Sequence, residues 1–427
     1  MNETLLLLHL LLNSAVPPAH ALPHDLLPPP QSMQRICSQC HALEVMGKCL
    51  AGDCASDQVR RIATPQPWDL VLDRMQGRGA KFTSDEQQEI LAYLQQSFPP
   101  KQYPLAWEKV GDFAGKGGWN IVSLREYAGF LYAGFEGNGK IFRTSDGITW
   151  GEVASTGNDS VYGITPFKGV LYAGSAEPDP QIWRSRDGQH WQQYANLPRA
   201  DGGIHSMGVF KNKLYAGTGR SWIYRSSDGK KWAKITTLKK DVLPVFQNWT
   251  RFLIPFKGYL YAGTEIGSLY RSSDGLNWTQ TNLEISSYNG LRGATVFNNA
   301  LYVGTTGDKG TIWKTQDGQS WQRVFQSADN SATYVASLAV AGKYLFASIS
   351  GYVFRSLDGL AWEEVGHLSP YTLEAMISWR GQIYAGALTA PAGSIFRANP
   401  AQKLVLPRST SPSKPINRTT HSLSTIR

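Results

Sequence analysis

One unit of about 40 residues recurs from residue 105 onward, and this recurrence limits the fold more than any other feature of the chain. The segment LYAG, or a near relative, begins at Leu131, Leu171, Leu214, Leu260, Leu301, Leu345 and Ile383. A second mark, Ser/Thr-x-Asp-Gly-x-x-Trp, follows six of these segments. Its aspartates are Asp146, Asp187, Asp228, Asp274, Asp317 and Asp358, and its tryptophans are Trp150, Trp191, Trp232, Trp278, Trp321 and Trp362. Each unit reads as four short strands, and residues 252–281 contain all four. Asp-Gly between apolar strands is a strong hairpin signal. The Asp carboxylate accepts backbone N–H groups of its own turn, and the Trp three residues after the Gly opens the outer strand, placed to pack between units.

A four-stranded unit of this period is a propeller blade. Seven LYAG-like strands against six boxes leave the last unit incomplete, ending at SIFRANP where a box would begin. Residues 105–111, LAWEKVG, match the strand that follows a box (compare LAWEEVG at 360–366) and are expected to close the ring on the last blade. The box resembles the Asp-box, or BNR repeat, found in sialidases and in many unrelated propellers. The likeness is specific for the turn and the fold and says almost nothing about chemistry. The sialidase resemblance would imply an arginine triad, an acid and a Tyr/Glu pair in a six-bladed ring. The residues at the starts of the inner strands are instead mixed: Trp119, Tyr162, His205, Trp249, Arg251, Arg292, Tyr334, Tyr371 and Glu374. Arg251 and Arg292 are candidates to bind an anion, and no third arginine takes a matching position.

The four cysteines, Cys37, Cys40, Cys49 and Cys54, all precede the repeat. Cys37-Ser38-Gln39-Cys40-His41 has the C-x-x-C-H spacing of covalent haem attachment, in which two thiols add to haem vinyl groups and the adjacent imidazole ligates iron. A redox dithiol would open a helix after a strand of a βαβ unit, a pattern not present here. A zinc site would need Cys49 and Cys54, which follow in a cramped loop. Haem is the preferred reading. It leaves Cys49 and Cys54 to form a short-loop disulfide, or to remain as two buried thiols. Residues 67–99 continue this region. Trp68, Leu72 and Met75 recur at helical spacing on one face. Thr83 and Glu86 form a capping box ahead of the apolar stripe Ile90, Leu91 and Leu94. Over residues 33–98 the chain resembles a small class I cytochrome c domain, through CSQCHAL and the ordered series Trp68, Leu72, Met75, Gly79, Thr83, Glu86, Ile90, Tyr93 and Leu94. The resemblance implies one covalent haem c held by Cys37 and Cys40, with His41 axial, Met75 as the opposite axial ligand and Trp68 packed on the haem. Met46, five residues after His41, lies on the wrong side and is read as packing. A Met/His pair raises the potential and fills both axial positions, which favours electron transfer over oxygen chemistry.

Leu5–Leu12 is an apolar run too short to span a bilayer. Ala19-His20-Ala21 behind it fits a signal-peptidase site, so residues 1–21 are read as a secretory signal. The expected location is periplasmic or secreted, with no membrane span after cleavage. Lys and Arg number 42 and Asp and Glu 33, giving +9. Five of those positives (Lys403, Arg408, Lys414, Arg418 and Arg427) lie in an acid-free tail, residues 403–427, expected to be disordered. No dense basic stripe interleaved with aromatics marks a nucleic-acid binder. The expected fold class is therefore multidomain: a small all-α cytochrome c domain at 33–100, then an all-β seven-bladed β-propeller at 105–402. The expected function is electron carriage to or from a periplasmic redox partner, with the propeller as a docking or ligand-binding scaffold. The alternatives are a haem-dependent oxidoreductase whose propeller binds a small substrate and, last, a sialidase-like glycoside hydrolase.

Overall fold

The structure, a computed structural model, describes residues 81, 83–97, 103–113, 120–238, 248–283, 285, 290–307, 309–328, 332–368, 371–388 and 393–402. The signal (1–21), Cys37, Cys40, His41, Cys49, Cys54, Trp68, Met75, Trp119 and the tail (403–427) lie outside them. The described part of the N-terminal region is helix α1, Ser84–Ser97. It starts at the expected capping box: the Glu86 N–H donates to Thr83 Oγ1 at 3.3 Å, and the Thr83 N–H donates to Glu86 Oε2 at 2.8 Å. Ile90 on its apolar stripe is fully buried. No helix among the described residues is long and apolar enough to cross a membrane.

The remainder forms seven four-stranded antiparallel sheets. Blades 1 to 6 cover residues 120–155, 161–196, 204–237, 250–280, 291–326 and 335–367, each with its strands paired in chain order. Blade 7 takes three strands from residues 372–398 and its outermost from Glu108–Asp112, which pairs antiparallel with Ser394–Ala398. The ring is thus closed by joining the start of the repeat region to its end, and no blade edge is left without a neighbour on that side. The first strand of every blade is innermost and lines an axial channel.

The core is divided among the blade interfaces. A separate apolar cluster lies between each neighbouring pair, from Tyr132, Ile141, Val161 and Leu171 between blades 1 and 2 to Val110, Ile121, Phe142 and Trp379 between blades 7 and 1. Within these interfaces one contact repeats. The Tyr of each LYAG segment projects onto the box glycine of the next blade. A Cβ placed on Gly188 would stand 1.7 Å from Tyr132 Oη, and one on Gly275 1.8 Å from Tyr215 Oη. Gly147, Gly229, Gly318 and Gly359 meet Tyr384, Tyr172, Tyr261 and Tyr302 in the same way. These glycines also carry positive φ, +72° at Gly188, so conformation and space both exclude a side chain. Blade 6 has Phe346 in place of Tyr, and blade 7 behind it has no box. The chain end substitutes there: Arg355 Nη1 donates to the Pro400 and Gln402 carbonyls at 3.0 and 2.8 Å, as Arg271 Nη1 donates to the Gly318 carbonyl of a box at 3.1 Å.

Each box turn is held by its own aspartate. Asp228 Oδ1 accepts the N–H groups of Lys230 and Lys231 at 2.8 and 2.9 Å, and Ser226 Oγ accepts that of Gly229 at 2.8 Å. The backbone donors hold the Asp228 carboxyl below the usual range. Trp232 packs at the interface of blades 2 and 3 but is only half-buried. Its truncation should therefore cost less than the about 3–5 kcal/mol of a fully buried Trp.

Two outcomes follow. Gly188→Ala should destabilise by about 2–5 kcal/mol, combining a left-handed backbone with overpacking. In a Tyr132→Phe background the cost should shrink by about 1 kcal/mol, because the nearest atom is gone. Urea unfolding of the four proteins reads the difference, and equal costs in both backgrounds would refute the lock. Asp228 has a depressed folded pKa, so its contribution is present above the ordinary Asp value, about 3.9, and is lost as pH falls below it. Asp228→Asn should flatten the fall of Tm between pH 5 and pH 2. A wild-type slope in that variant would show that the carboxylate does not bear on acid stability.

Candidate functional site

Strand direction divides the ring into two faces. First strands begin, second strands end and third strands begin on one face. The box turns, which join third to fourth strands, lie on the other. The closing strand runs from the box face toward the first, because Glu108 pairs with Arg397 and Asp112 with Ser394. The chain preceding residue 108 therefore joins the ring on the box face.

On the face opposite the boxes, the start of each inner strand carries a β-bulge. Pairing skips a position between Ile121 and Ser123, Val161 and Gly163, Ile204 and Ser206, Thr250 and Phe252, Leu291 and Ala294, Val335 and Ser337, and Leu373 and Ala375. The residues left unpaired include Val122, Tyr162, His205, Arg251, Arg292, Ala336 and Glu374. A bulge re-aims a side chain, and here seven bulges at one level put five polar residues around one opening. The channel they line has a cavity volume of about 770 Å³. Its mouth, about 440 Å³, is lined by Glu136, Tyr162, Trp249, Arg251, Arg292, Tyr334 and Glu374, among others.

The polar groups form a continuous run around the mouth. The Tyr162 hydroxyl donates to Glu136 Oε1 at 2.6 Å, and Asn120 Nδ2 donates to Glu136 Oε2 at 2.7 Å. The Tyr162 ring lies 4.8 Å from the His205 ring, which stacks on Trp249 at 4.7 Å and 10°. The Arg251 guanidinium sits 4.1 Å from the Trp249 ring centre. Arg251 Nε donates to Glu265 Oε2, and Arg292 Nη2 donates to Glu265 Oε1 at 3.2 Å. Arg292 Nη1 donates to Tyr334 Oη at 2.5 Å and to Glu374 Oε1 at 3.1 Å, and the Tyr334 hydroxyl also donates to Glu374. Burial depresses the His205 pKa and favours the neutral ring. The His205 imidazole beside Glu177, with Nε2 3.9 Å from Oε2, holds that carboxyl at about 2. Burial pushes Glu374 up, against the pull of Arg292 and Arg251. Among the described residues, no group of three His, Cys, Asp or Glu is arranged to hold a metal ion.

Of the positions singled out in the sequence, Tyr162, His205, Trp249, Arg251, Arg292, Tyr334 and Glu374 come together here. Tyr371 does not: it packs against Phe396 at 4.9 Å, in the interface of blades 6 and 7. Glu136, Glu177 and Glu265 were not anticipated. Each stands two or three residues after an LYAG segment, at the end of a second strand, and that shared offset was the available signal. The mouth holds a Tyr/Glu pair and two arginines, in a ring of seven blades. Among the described residues, no third arginine of the kind the sialidase resemblance would require lines it.

No protein-family model matches the chain, and neither does the sequence of any curated protein. Solved structures do match it. A streptogramin B lyase is 15% identical with a TM-score of 0.56, over 69% of this chain and 97% of that one. A YCF48 structure bound to D1 peptide is 16% identical with a TM-score of 0.53, over 72% and 97%. The Cps50 (Swd1) β-propeller domain of Myceliophteria thermophila is 12% identical with a TM-score of 0.51, over 69% and 99%. Proteins with such different names share the architecture at these low identities, so the comparisons establish the propeller fold alone.

Arg292 joins two carboxylates, and removing one partner of a buried ion pair leaves the other uncompensated. Arg292→Met should cost about 3–5 kcal/mol at pH 7, and the loss should diminish as pH falls and Glu374, whose pKa burial raises, takes up a proton. Glu374→Gln should cost less at pH 7. Chemical denaturation at pH 7 and pH 5 measures both, and a pH-independent loss for Arg292→Met would contradict the assignment.

Proposed function

We propose that the chain is an exported monohaem c-type cytochrome that carries electrons for a periplasmic partner, and that its propeller is the scaffold on which a ligand or partner docks. The observation that carries this reading is Cys37-Ser38-Gln39-Cys40-His41, whose two thiols and adjacent imidazole have the spacing for covalent haem. The donor chemistry suits haem iron: His41 would supply an imidazole and Met75 a thioether, and the cytochrome c resemblance implies that Trp68 packs on the macrocycle. Bound haem would supply a one-electron iron couple. Further support comes from α1, where the Thr83–Glu86 cap forms and Ile90 is buried, as the cytochrome-like series of residues leads one to expect. For the propeller, the support is a polar mouth of pocket size on a rigid ring, a common setting for binding.

A second reading, a haem-dependent oxidoreductase with a small substrate in the propeller, draws on the same mouth. That mouth opens on the face opposite the one where the N-terminal region joins the ring, which favours docking over direct oxidation of a substrate held there.

Protein matured with a haem-attachment system should keep its haem through acid–acetone extraction and denaturing gels. Cys37→Ala with Cys40→Ala should remove it. Met75→Ala should lower the potential and admit small ligands at iron. Haem that is absent or extractable from the matured protein would end the cytochrome reading. The Met75→Ala effects appearing instead in Met46→Ala would move the axial assignment.

A further inference from the structure

The hydrogen bonds at the mouth do not balance, and the imbalance has one sign. Every carboxylate among the described residues there is engaged. Glu136 accepts from Asn120 and Tyr162, Glu265 from Arg251 and Arg292, Glu374 from Arg292 and Tyr334, and Glu177 from the Gly203 N–H at 3.3 Å. The buried groups left over among the described residues that line the mouth are nitrogens. Arg251 Nη2, Arg292 Nε and Trp249 Nε1, all of them donors, have no hydrogen-bond partner. The Arg251 side chain is 8% exposed. Buried donors without acceptors are rare in folded proteins, and each needs a partner to account for it. The missing partner is an oxygen acceptor, and next to two guanidinium groups the matching acceptor is a carboxylate.

Charge sets a condition on that ligand. Arg251 and Arg292 are already neutralised by Glu265 and Glu374. A further anion in a low-dielectric mouth is opposed unless one carboxylate loses its charge. Glu374 is the group placed to do so. Facing it are Arg292, Arg251, Tyr334, Glu265 and Glu136, three of them acidic or phenolic. We propose that the mouth binds a carboxylate through Arg251, Arg292 and Trp249, and that Glu374 takes up a proton as the ligand enters. This names the ligand chemistry for the docking role proposed above and does not depend on the haem. The carboxylate belongs either to a small organic acid or to the free C-terminus of a peptide.

Calorimetric titration of the full chain tests it. The probes are succinate, acetyl-trialanine with a free C-terminus, its C-terminal amide, and n-butylamine. Titrations from pH 5 to pH 8, in buffers of different ionisation heat, count the protons. One or both carboxylate probes should bind, with uptake approaching one proton, and affinity should fall up to tenfold per pH unit where free Glu374 is ionised. Succinate binding alone identifies a small-acid site, and binding of the acid peptide but not its amide identifies a C-terminus site. Glu374→Gln should abolish the uptake and flatten the pH dependence. Trp249→Phe, which keeps a ring but removes a donor, should weaken binding about tenfold or more. The haem-free Cys37→Ala/Cys40→Ala protein should bind as the parent does, so failure of the haem reading and failure of this one are separable. Binding of n-butylamine in preference to both carboxylates, no carboxylate binding at any pH, or an unchanged proton count in Glu374→Gln would each overturn the proposal.

Discussion

The ring depends on a contact between neighbouring blades in which a phenol end occupies the space that a glycine leaves empty. Tyr132 against Gly188 is one of six such contacts. Each joins the second strand of one blade to the box turn of the next, so two sequence marks about a dozen residues apart within a unit are complementary halves of one joint. A side chain at the glycine fails for want of space and also because the backbone there is left-handed, at φ +72° for Gly188. The aspartate beside it holds the turn in the shape that offers the gap. Stability is then a sum of nearest-neighbour terms, as in linear repeat proteins, with closure by Glu108–Asp112 removing the free ends. Phe346 supports this account, since the one blade followed by no box is the one that lacks the hydroxyl.

The same regularity explains how a site arises. A bulge at the start of every inner strand is part of the blade, and it presents one side chain per blade at a common level of the channel. Since that side chain is not needed for the joint between blades, its identity is free to vary. In this chain five of the seven positions are Tyr162, His205, Arg251, Arg292 and Glu374. The second-strand ends supply Glu136, Glu177 and Glu265 from the next position outward. Scaffold and site are thus set by different residues of the same strands, and a change at the mouth need not loosen the interfaces.

How much of this could be read from the residues follows from that division. The blades, the missing seventh box and the Thr83–Glu86 cap were legible, because each is a local pattern of fixed spacing. The arginines, His205 and the tyrosines were legible as a group by their place at the strand starts. Which of them meet was not, because contacts around a ring join residues 40 to 80 positions apart, such as Tyr334 and Arg292 with Glu374. Tyr371 shares the strand-start position but packs against Phe396 in the interface of blades 6 and 7, a contact that its local sequence does not announce. Glu265 was missed because an acid after a strand reads as an ordinary loop residue. Only the structure gives it two arginines to bridge. The half-burial of Trp232 has a similar origin: packing between blades at the rim leaves one edge of the indole toward solvent.

The two faces of the ring differ by construction. Antiparallel strands force all box turns to one face and all bulges to the other, whatever the side chains are. The box face receives the N-terminal region, through Glu108, and it also carries the aliphatic side chains Ile148, Leu276, Leu357 and Leu360 on or beside its turns. The bulge face carries the charged mouth. A molecule held at the mouth is therefore separated from the N-terminal junction by the length of an inner strand, about 20 Å for seven residues at about 3.3 Å each. Coupling between the two ends, where it exists, has to pass through the ring or around it. Six of the seven interfaces are filled by tyrosine–glycine joints, which leave little free volume for the blades to shift against one another. Scaffold packing, the polar mouth and the N-terminal junction thus occupy separate parts of the ring, so a substitution in one can be made without disturbing the other two.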